Sequence, residues 1–351
     1  MKVFVVALAA GVLFVSGCAS QAGYLIKEGS ALLKYSTGAR PVASLLSDPS
    51  TPADTRQFLR SVQSIRAFAT TQIGLKSNDN YTRYKEVDRD HLVDVVQACD
   101  AASFDAYQWD YPFLGRLPYR GYYDRADADT EAARLRKEGY DVIVRPVDAF
   151  STLGFLPDPL YSFMKRYSPF ELASTLIHEQ THATLFLKGQ PDFNEEMASF
   201  VGDTGAFLWL ERTYGSDSPQ VHDAEAPRAD SELFVSLLHG LAVRLQSVYE
   251  SGAPREEKLA QKKRIIDEFT AGLADGKALG FQTEGYAHLD RLRLNNAYLS
   301  LYRLYTDDVP LLKQWYDTHC GSDLTRFLKS MKELAAHGDV KAQIRTALGT
   351  S

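Results

Sequence analysis

Cysteine and excess positive charge are what this sequence has least of. It holds three cysteines in 351 residues, and no two of them are close enough to form a zinc or redox motif. Acidic residues outnumber basic ones, 45 against 39, and the formal net charge is −6. A surface that neutralises phosphates must be basic, so the composition argues against nucleic-acid binding.

Long hydrophobic runs are missing beyond the N-terminus. Lys2 precedes an uninterrupted apolar stretch over residues 3–15, which is too short to span a membrane comfortably and is typical of a secretory signal. The rest has an ordinary globular composition, because the whole chain is 45% hydrophobic and 24% charged. In an oxidising compartment Cys99 and Cys320 can form one disulfide if they lie close together, but their positions in the sequence do not show that they do.

The most informative stretch is residues 178–182, which read His-Glu-Gln-Thr-His. Two histidines four residues apart lie on one face of a helix, so His178 and His182 can bind the same Zn²⁺. Glu179 lies next to that face, where its carboxylate reaches a water rather than the metal. This pattern is typical of zinc peptidases, with the glutamate as general base.

The flanking residues predict a helix around this motif. Ser168 and Glu171 form a capping box, and Pro169 stands at the first helical position. The sequence Lys188-Gly189 predicts the end of the helix, which would place both histidines near its middle.

A catalytic zinc site needs a third protein ligand and an open position. A second helix is predicted from about Asp192 to Tyr214, and it carries the pattern Asn-Glu-x-x-Ala over residues 194–198. Here the chain resembles the gluzincin-type metallopeptidases, and the resemblance implies Glu195 as third ligand beside His178 and His182. Glu196 is the competing candidate, because it is about 100° further around the helix and only one of the two can face the metal.

Other readings of these residues stay open. Asp203 and, more weakly, Ser199 are candidates to orient a ligating histidine, although Asp203 can equally be a solvated residue on a helix face. The histidines can also be core residues or ligands of a structural metal. Structural zinc sites favour four ligands rich in cysteine, so three ligands with a spare glutamate favour catalysis.

The N-terminus predicts a location. Residues 15–18 read Val-Ser-Gly-Cys and resemble the lipobox of bacterial lipoproteins, which implies that Cys18 is lipidated and becomes the first residue of the mature protein. Ala19 follows, rather than an aspartate that resembles an inner-membrane retention signal. We therefore expect attachment to the bacterial outer membrane, facing the periplasm. An ordinary secretory signal is the alternative.

The rest of the chain predicts an α+β protein that is predominantly helical, with a small sheet packed on the metal-binding helix. Strands are expected at 103–109, 119–123 and 140–145, and 91–99 is either a strand or a short helix. The strand that ends at Arg145 is either an edge strand, able to align a peptide, or an interior strand. Helices are expected over residues 31–46, 50–68, 130–138, 231–249, 255–273 and 290–305.

These elements predict one continuous body after the signal peptide, which covers residues 1–17. The body, residues 18–351, is expected to comprise an N-terminal helical region at 18–80, a sheet region at 81–148, metal-binding helices at 168–215 and a C-terminal helical region at 230–345.

An oxyanion-stabilising residue should face the metal. An aromatic and cationic group on residues 119–123 supplies the candidates Tyr119, Arg120, Tyr122 and Tyr123. His239, His288 and His319 are more typical of structural histidines than of further ligands, and Asn295 and Asn296 are weak candidates to touch the cleft.

Residues 117–123, 149–155 and 158–160, together with the motifs at 178–182 and 194–195, resemble the bacterial predicted-aminopeptidase family of zincin-like lipoproteins. The resemblance implies zinc-dependent hydrolysis of peptides. The Gly-x-Met-Glu-Asn pattern that holds the substrate amine in well-known aminopeptidases of this type is absent. A periplasmic endopeptidase is therefore one alternative, and a non-catalytic zincin-like binding or scaffold module is another.

Overall fold

The computed structural model describes residues 18–111, 115–148, 157–187, 190–273, 279–303 and 309–349. The chain divides into two compact units, residues 1–38 and residues 39–351. The described part of the first unit is mainly helix α1 (Cys18–Ser36). Residues 1–17, the predicted signal, and the whole 149–155 stretch lie outside the described residues. Among the helices that are described, none has both the length and the apolar character to cross a membrane.

The second unit begins with helical structure, as the spacing of its apolar residues predicts. The elements are β1 (Arg40–Pro41), α2 (Val42–Ser47) and α3 (Ala53–Phe68), followed by a π-helical turn (Ala69–Ile73). The predicted helix over 50–68 is confirmed. The predicted helix over 31–46 is interrupted at β1, between α1 and α2. The turn at Ala69–Ile73 ends at Gly74, whose φ of +84° favours glycine.

Three small sheets follow. Their strands are β2 (Arg83–Lys85), β3 (Val93–Asp100), β4 (Trp109–Tyr111), β5 (Gly115–Leu117), β6 (Tyr119–Tyr122), β7 (Tyr140–Val147) and β8 (Leu160–Tyr161), with helix α4 (Arg125–Lys137) between β6 and β7. The first sheet has the order β1-β2-β8, the second β6-β3-β7, and β4 pairs with β5.

The β6-β3-β7 sheet settles two questions that the sequence leaves open. The predicted segment 91–99 contains most of strand β3 (Val93–Asp100), because its valines are buried on both faces and β-branched residues suit that position. Of the described strands, only β3 pairs with β7, so the strand that contains Arg145 is an edge strand. The expected strand over 103–109 is shorter than predicted, because regular pairing begins at Trp109.

The remaining elements are helices. They are α5 (Pro169–Thr184), α6 (Pro191–Tyr214), α7 (Pro219–Tyr249), α8 (Arg255–Gly272), α9 (Asn296–Arg303), α10 (Val309–His319), α11 (Leu324–Ala335) and α12 (Val340–Leu348). A predominantly helical α+β architecture is thus confirmed. The main neighbours of α5 are α6 and α3, whereas those of the β6-β3-β7 sheet are α4 and α9. The prediction that the sheet packs mainly on the metal-binding helix is therefore wrong.

Helix α9 starts later than the predicted 290–305 segment. The Asn295 side chain accepts a hydrogen bond from the backbone N–H of Tyr298 (2.9 Å), which is the behaviour of an N-cap. Asn296 donates its side-chain amide to the carbonyls of Asp100 and Ser103 (2.9 Å each). The two asparagines therefore fasten α9 to the sheet instead of facing the cleft.

The leucine stripe of α7 forms a core with α8 and α9. Leu241 and Leu245 are fully buried there, and Cys99 lies in the same cluster. Cys99 and Cys320 are both buried free thiols, so the optional disulfide is not formed.

Candidate metal centre

Helix α5 begins as predicted. The Ser168 side chain accepts from the backbone N–H of Glu171 (3.2 Å), and the Glu171 carboxylate accepts from the backbone N–H of Ser168 (2.8 Å). This reciprocal pair is a capping box, with Pro169 at the first helical position. The start of α5 is therefore fixed several turns before the histidines.

The end of α5 differs from the prediction. The helix stops at Thr184, before Lys188 and Gly189, so that His182 lies in its last turn rather than in the middle. The cause is Asn194 in α6, whose side-chain amide makes two hydrogen bonds of 2.8 Å with the backbone N–H and C=O of Leu187. Asn194 is buried, so its two bonds satisfy the backbone groups of Leu187, which have no helical partner after α5 ends.

The packing of α6 against α5 brings the predicted ligands together. Nε2 of His178 lies 3.0 Å from Nε2 of His182, and the carboxylate oxygens of Glu195 lie 3.5 Å and 3.4 Å from these two nitrogens. Among the described residues, this is the group of histidine, cysteine and acidic side chains whose ligand atoms all lie within 4.8 Å of one another.

These separations test whether a metal ion fits. Bonds of about 2.0–2.1 Å arranged tetrahedrally place the ligand atoms about 3.3 Å apart. The observed separations of 3.0, 3.4 and 3.5 Å bracket that value. Two imidazole nitrogens and one carboxylate are also a donor set typical of catalytic zinc. The residues fit Zn²⁺ with three protein ligands.

The structure shows which of Glu195 and Glu196 faces the histidines. The Glu195 side chain is 52% exposed and directed at the two histidines, whereas Glu196 is 3% exposed. One step along the helix turns Glu196 about 100° away from the histidines and into the protein. Glu195 is therefore the carboxylate placed for the metal.

Two glycines let α6 approach α5 closely. A Cβ atom at Gly202 would lie 2.8 Å from the carbonyl oxygen of Ser174 and 3.2 Å from Cβ of His178. A Cβ at Gly205 would lie 3.1 Å from the side chain of Ile177 in α5 and 2.8 Å from the side chain of Ile73 in the π-helical turn. The absence of these atoms allows the two helices to pack at the distance that brings Glu195 to the histidines.

Polar residues on α6 contact the region around His178. Ser199 Oγ lies 3.4 Å from Nδ1 of His178, the position from which a residue orients a ligating ring. Asp203 does not contact the ring, because its carboxylate accepts a 2.6 Å hydrogen bond from Ser174. Ser199, the weaker prediction, is thus the residue that reaches the histidine. Nδ1 of His182 is buried without a hydrogen-bond partner among the described residues.

The charges of the three side chains are coupled. Hydrogen bonding to His178 and His182 holds the pKa of Glu195 well below its usual range. Burial alone would lower the pKa of His182, but the adjacent Glu195 and Glu179 outweigh burial and raise it. The site therefore attracts positive charge, whether a proton or a metal cation.

The charge of Glu179 acts on a second group of residues, to which the sequence assigned no catalytic or binding role. Burial, with the charge of Glu179 as a second cause, raises the pKa of Asp158 to about 6. Burial, Glu179 and Asp158 also raise the pKa of Tyr81. Tyr81 has φ of +60°, which is uncommon for a bulky residue and is a signal that only coordinates reveal.

The candidates for oxyanion stabilisation lie on opposite faces of the β6-β3-β7 sheet. Tyr119 opposes Gln97, whereas Arg120 and Tyr122 oppose Val96 and Asp94 and so lie on the other face of β3 and β6. Burial, and then the charge of Glu195, raises the pKa of Tyr119, so Tyr119 is within electrostatic reach of Glu195.

Arg120 and Tyr122 are directed toward α4. The charge of Arg120 acts on Glu131 in α4, and Tyr122 is buried. The predicted grouping of these two residues with Tyr119 at the metal is therefore wrong, because alternate residues of a strand face opposite sides.

The other histidines do not join the described metal cluster. His319 stacks on Trp315 with ring centroids 4.0 Å apart, and neither His239 nor His288 belongs to the cluster. Their structural interpretation is consistent with this arrangement.

The described structure is thus a helical α+β body with a His-His-Glu cluster on two closely packed helices, and these three side chains could hold a metal ion. The chain belongs to the family described as "Putative aminopeptidase", whose model matches residues 23–347. No curated protein and no solved structure matches the chain.

Proposed function

We propose that this protein is a zinc-dependent peptidase of the cell envelope, acting as an aminopeptidase. The observation that carries the proposal is the spacing of the ligand atoms of His178, His182 and Glu195, which suits a tetrahedral zinc centre. Membership of the family supports peptide hydrolysis as the reaction.

Bound Zn²⁺ would polarise the scissile carbonyl and make water acidic enough to attack at neutral pH. Glu179 is next to His178 in sequence but is not among the ligand atoms of the cluster. Its carboxylate is free to accept a proton from the attacking water and to pass it to the leaving amine.

Tyr119 is the residue we assign to oxyanion stabilisation. It is 36% exposed, and Glu195 in α6 influences its pKa. The raised pKa keeps its hydroxyl protonated, and a protonated hydroxyl can donate a hydrogen bond to the developing negative charge. Arg120 and Tyr122 have no part in this assignment.

An endopeptidase is the second candidate, and one observation favours it. Among the described strands, β6 and β7 each pair on one side only. An edge strand beside the site can hold an extended peptide through backbone hydrogen bonds along its length. Such binding does not require a free N-terminus.

The location is also a proposal. Cleavage before Cys18 and lipidation of that cysteine would anchor the protein in the outer membrane, since several acyl chains bind firmly where one does not. Mass spectrometry of the N-terminal peptide from the native host tests this directly. An unmodified N-terminus at another residue would contradict it.

The activity test uses one peptide sequence in two forms, with a free and with an acetylated N-terminus. Zinc is quantified in the same protein sample, and Glu179→Gln is the control that keeps the three ligands. Cleavage of the free form alone, lost in the variant, supports an aminopeptidase. Cleavage of both forms supports the endopeptidase. Stoichiometric zinc without cleavage of any peptide in a diverse library would overturn peptidase function in favour of a binding or scaffold module.

A further inference from the structure

A small cavity lies beside the general base on the N-terminal side of α5. Its volume is about 20 Å³, which is room for roughly one water-sized group. The polar side chains that line it are Tyr81, Asp148, Asp158, Tyr161, Tyr167 and Thr175.

The cavity adjoins Glu179. Thr175 lies one helical turn before Glu179, so the two side chains lie one above the other on the same face of α5. The charge of Glu179 acts on both Asp158 and Tyr81. The cavity is therefore next to the place where Glu179 and the metal residues would act on a substrate.

The cavity is negative and has no counter-charge of its own. Asp148 and Asp158 are its charged groups, and no lysine, arginine or histidine is among its described lining residues. The Asp148 carboxylate accepts a hydrogen bond from the hydroxyl of Tyr167. The Asp158 carboxylate receives no hydrogen bond from the described residues, although burial shifts its pKa upward.

Two buried tyrosines add unused polar groups. Tyr81 is 5% exposed and Tyr161 is 6% exposed, yet neither hydroxyl forms a hydrogen bond within the described part of the chain. Polar groups in buried positions are nearly always hydrogen-bonded in native proteins, so the two tyrosine hydroxyls and the half-buried Asp158 carboxylate have hydrogen-bonding capacity left for a polar occupant of the cavity.

The backbone holds Asp158 in this position. The N–H of Tyr81 donates to the carbonyl of Asp158 (2.7 Å), and the N–H of Asp158 donates to the side chain of Asn80 (3.1 Å). Tyr81 has a left-handed backbone conformation (φ of +60°) where it makes this contact. A strained residue retained at such a place is a reason to suspect function.

We propose that this cavity is the subsite for the free α-ammonium group of the substrate, with Asp158 as the carboxylate that binds it. The inference rests on the proposed peptidase function. In a peptide, the first nitrogen is two bonds, about 2.5 Å, from the first carbonyl carbon. A pocket that holds this nitrogen must therefore lie close to Glu179, and Thr175, one turn before Glu179 on α5, lines this one.

The chemistry of the occupant follows from the lining. An ammonium group has three donors, which suit the Asp158 carboxylate and the two tyrosine hydroxyls as acceptors. Its positive charge is favoured by the carboxylate and by neighbouring aromatic rings. A blocked N-terminus carries neither the charge nor the donors. This subsite therefore confers aminopeptidase specificity in a chain that lacks the Gly-x-Met-Glu-Asn pattern.

The kinetic test compares Asp158→Asn with the zinc-loaded full chain, using the free and acetylated forms of one peptide. We expect KM for the free form to rise about tenfold or more, with no change in zinc content or in any cleavage of the acetylated form. Asp217→Asn, an exposed aspartate between α6 and α7, is the control and should change neither. An equal change for both peptides, or no change, would overturn the proposal.

A binding test separates this inference from the peptidase proposal. Calorimetry with Glu179→Gln protein measures L-leucinamide and L-alaninamide against their N-acetyl forms. We expect the free amines to bind about tenfold or more tightly than the acetylated ones, and Asp158→Asn to abolish the difference. Equal binding, or none, would show that the cavity holds only water or a simple ion. The comparison of free and acetylated ligands can be interpreted even if no peptide is cleaved.

Tyr81→Phe is a second variant that tests the subsite if Asp158→Asn fails to fold. It removes one hydroxyl and keeps the ring, so the protein should fold and its preference for the free amine should fall about two- to fivefold. Full retention of the preference in a folded Tyr81→Phe protein, together with retention in Asp158→Asn, would refute the assignment.

Discussion

The α5–α6 pair and the α7–α8–α9 core are built differently. In the α7–α8–α9 core, leucines at helical spacing are buried against other apolar residues. In the α5–α6 pair, glycines replace side chains at the closest approach, histidines face a carboxylate, and Nδ1 of His182 lacks a described partner. The first region follows the rules that favour stability, and the second departs from them where chemistry is expected.

Among the expected effects on the α5–α6 pair, the largest is the loss of activity on removal of the general base. Glu179→Gln should lower kcat by about 10²–10⁴-fold, because the amide cannot accept the proton. The metal ligands and the helix stay in place, so zinc content and thermal stability should not change. Steady-state kinetics with metal analysis of the same sample measures this. A variant that loses zinc as well would show that Glu179 holds the site together.

The opposite effect is expected in the leucine core. Leu241→Ala should lower the free energy of unfolding by about 2–5 kcal/mol, since Leu241 is fully buried. Denaturant titration measures the loss. The kcat and zinc content of the folded protein should match those of the wild type, and a selective loss of zinc would break the contrast between the two regions.

The glycines allow a matched comparison. Gly202→Ala should destabilise the protein by about 1–3 kcal/mol and weaken zinc binding, because the new methyl group would push α5 away from α6. Gly240→Ala in α7 meets no atom within 4 Å and should stabilise its helix by up to about 1 kcal/mol. Thermal unfolding and zinc titration report both. If the two variants behave alike, helix propensity rather than close packing explains Gly202.

The smallest effect expected concerns Ser199. Removal of its hydroxyl in Ser199→Ala takes away the contact with Nδ1 of His178 and should weaken zinc binding about tenfold. Ser247→Ala, on the exposed face of α7, is the control and should not alter zinc affinity. Competition with a chelating dye measures both. Unchanged affinity in Ser199→Ala would mean that another group orients the ring.

Local patterns predicted most elements but not their ends or their faces. The capping residues Ser168 and Glu171 act within one turn, so the start of α5 followed from the sequence alone. Its end depends on Asn194 from the next helix, and no local pattern contains that contact. The strand over residues 119–122 was also predicted, but only its pairing with β3 shows that Tyr119 and Arg120 face opposite sides.

The candidate site was predicted in the same uneven way. His178, Glu179 and His182 form one short motif, and the resemblance to gluzincins pointed to Glu195. Asp158 and Tyr81 had no assigned role, because their significance arises from a contact between distant segments. A half-buried carboxylate in a cavity lined by tyrosines is a property of the folded chain that no residue spacing encodes.

The early end of α5 has an electrostatic consequence for the site. The peptide dipoles of a helix add up to a partial negative charge at its C-terminus, and this favours cations near the last turn. His182 lies in that turn, so α5 itself adds an attraction of about 0.3–1 kcal/mol for a cation bound there. A helix that continued to Lys188 would have carried this negative end away from the histidines. Asn194, by ending the helix, thus strengthens a site that its own side chain does not contact.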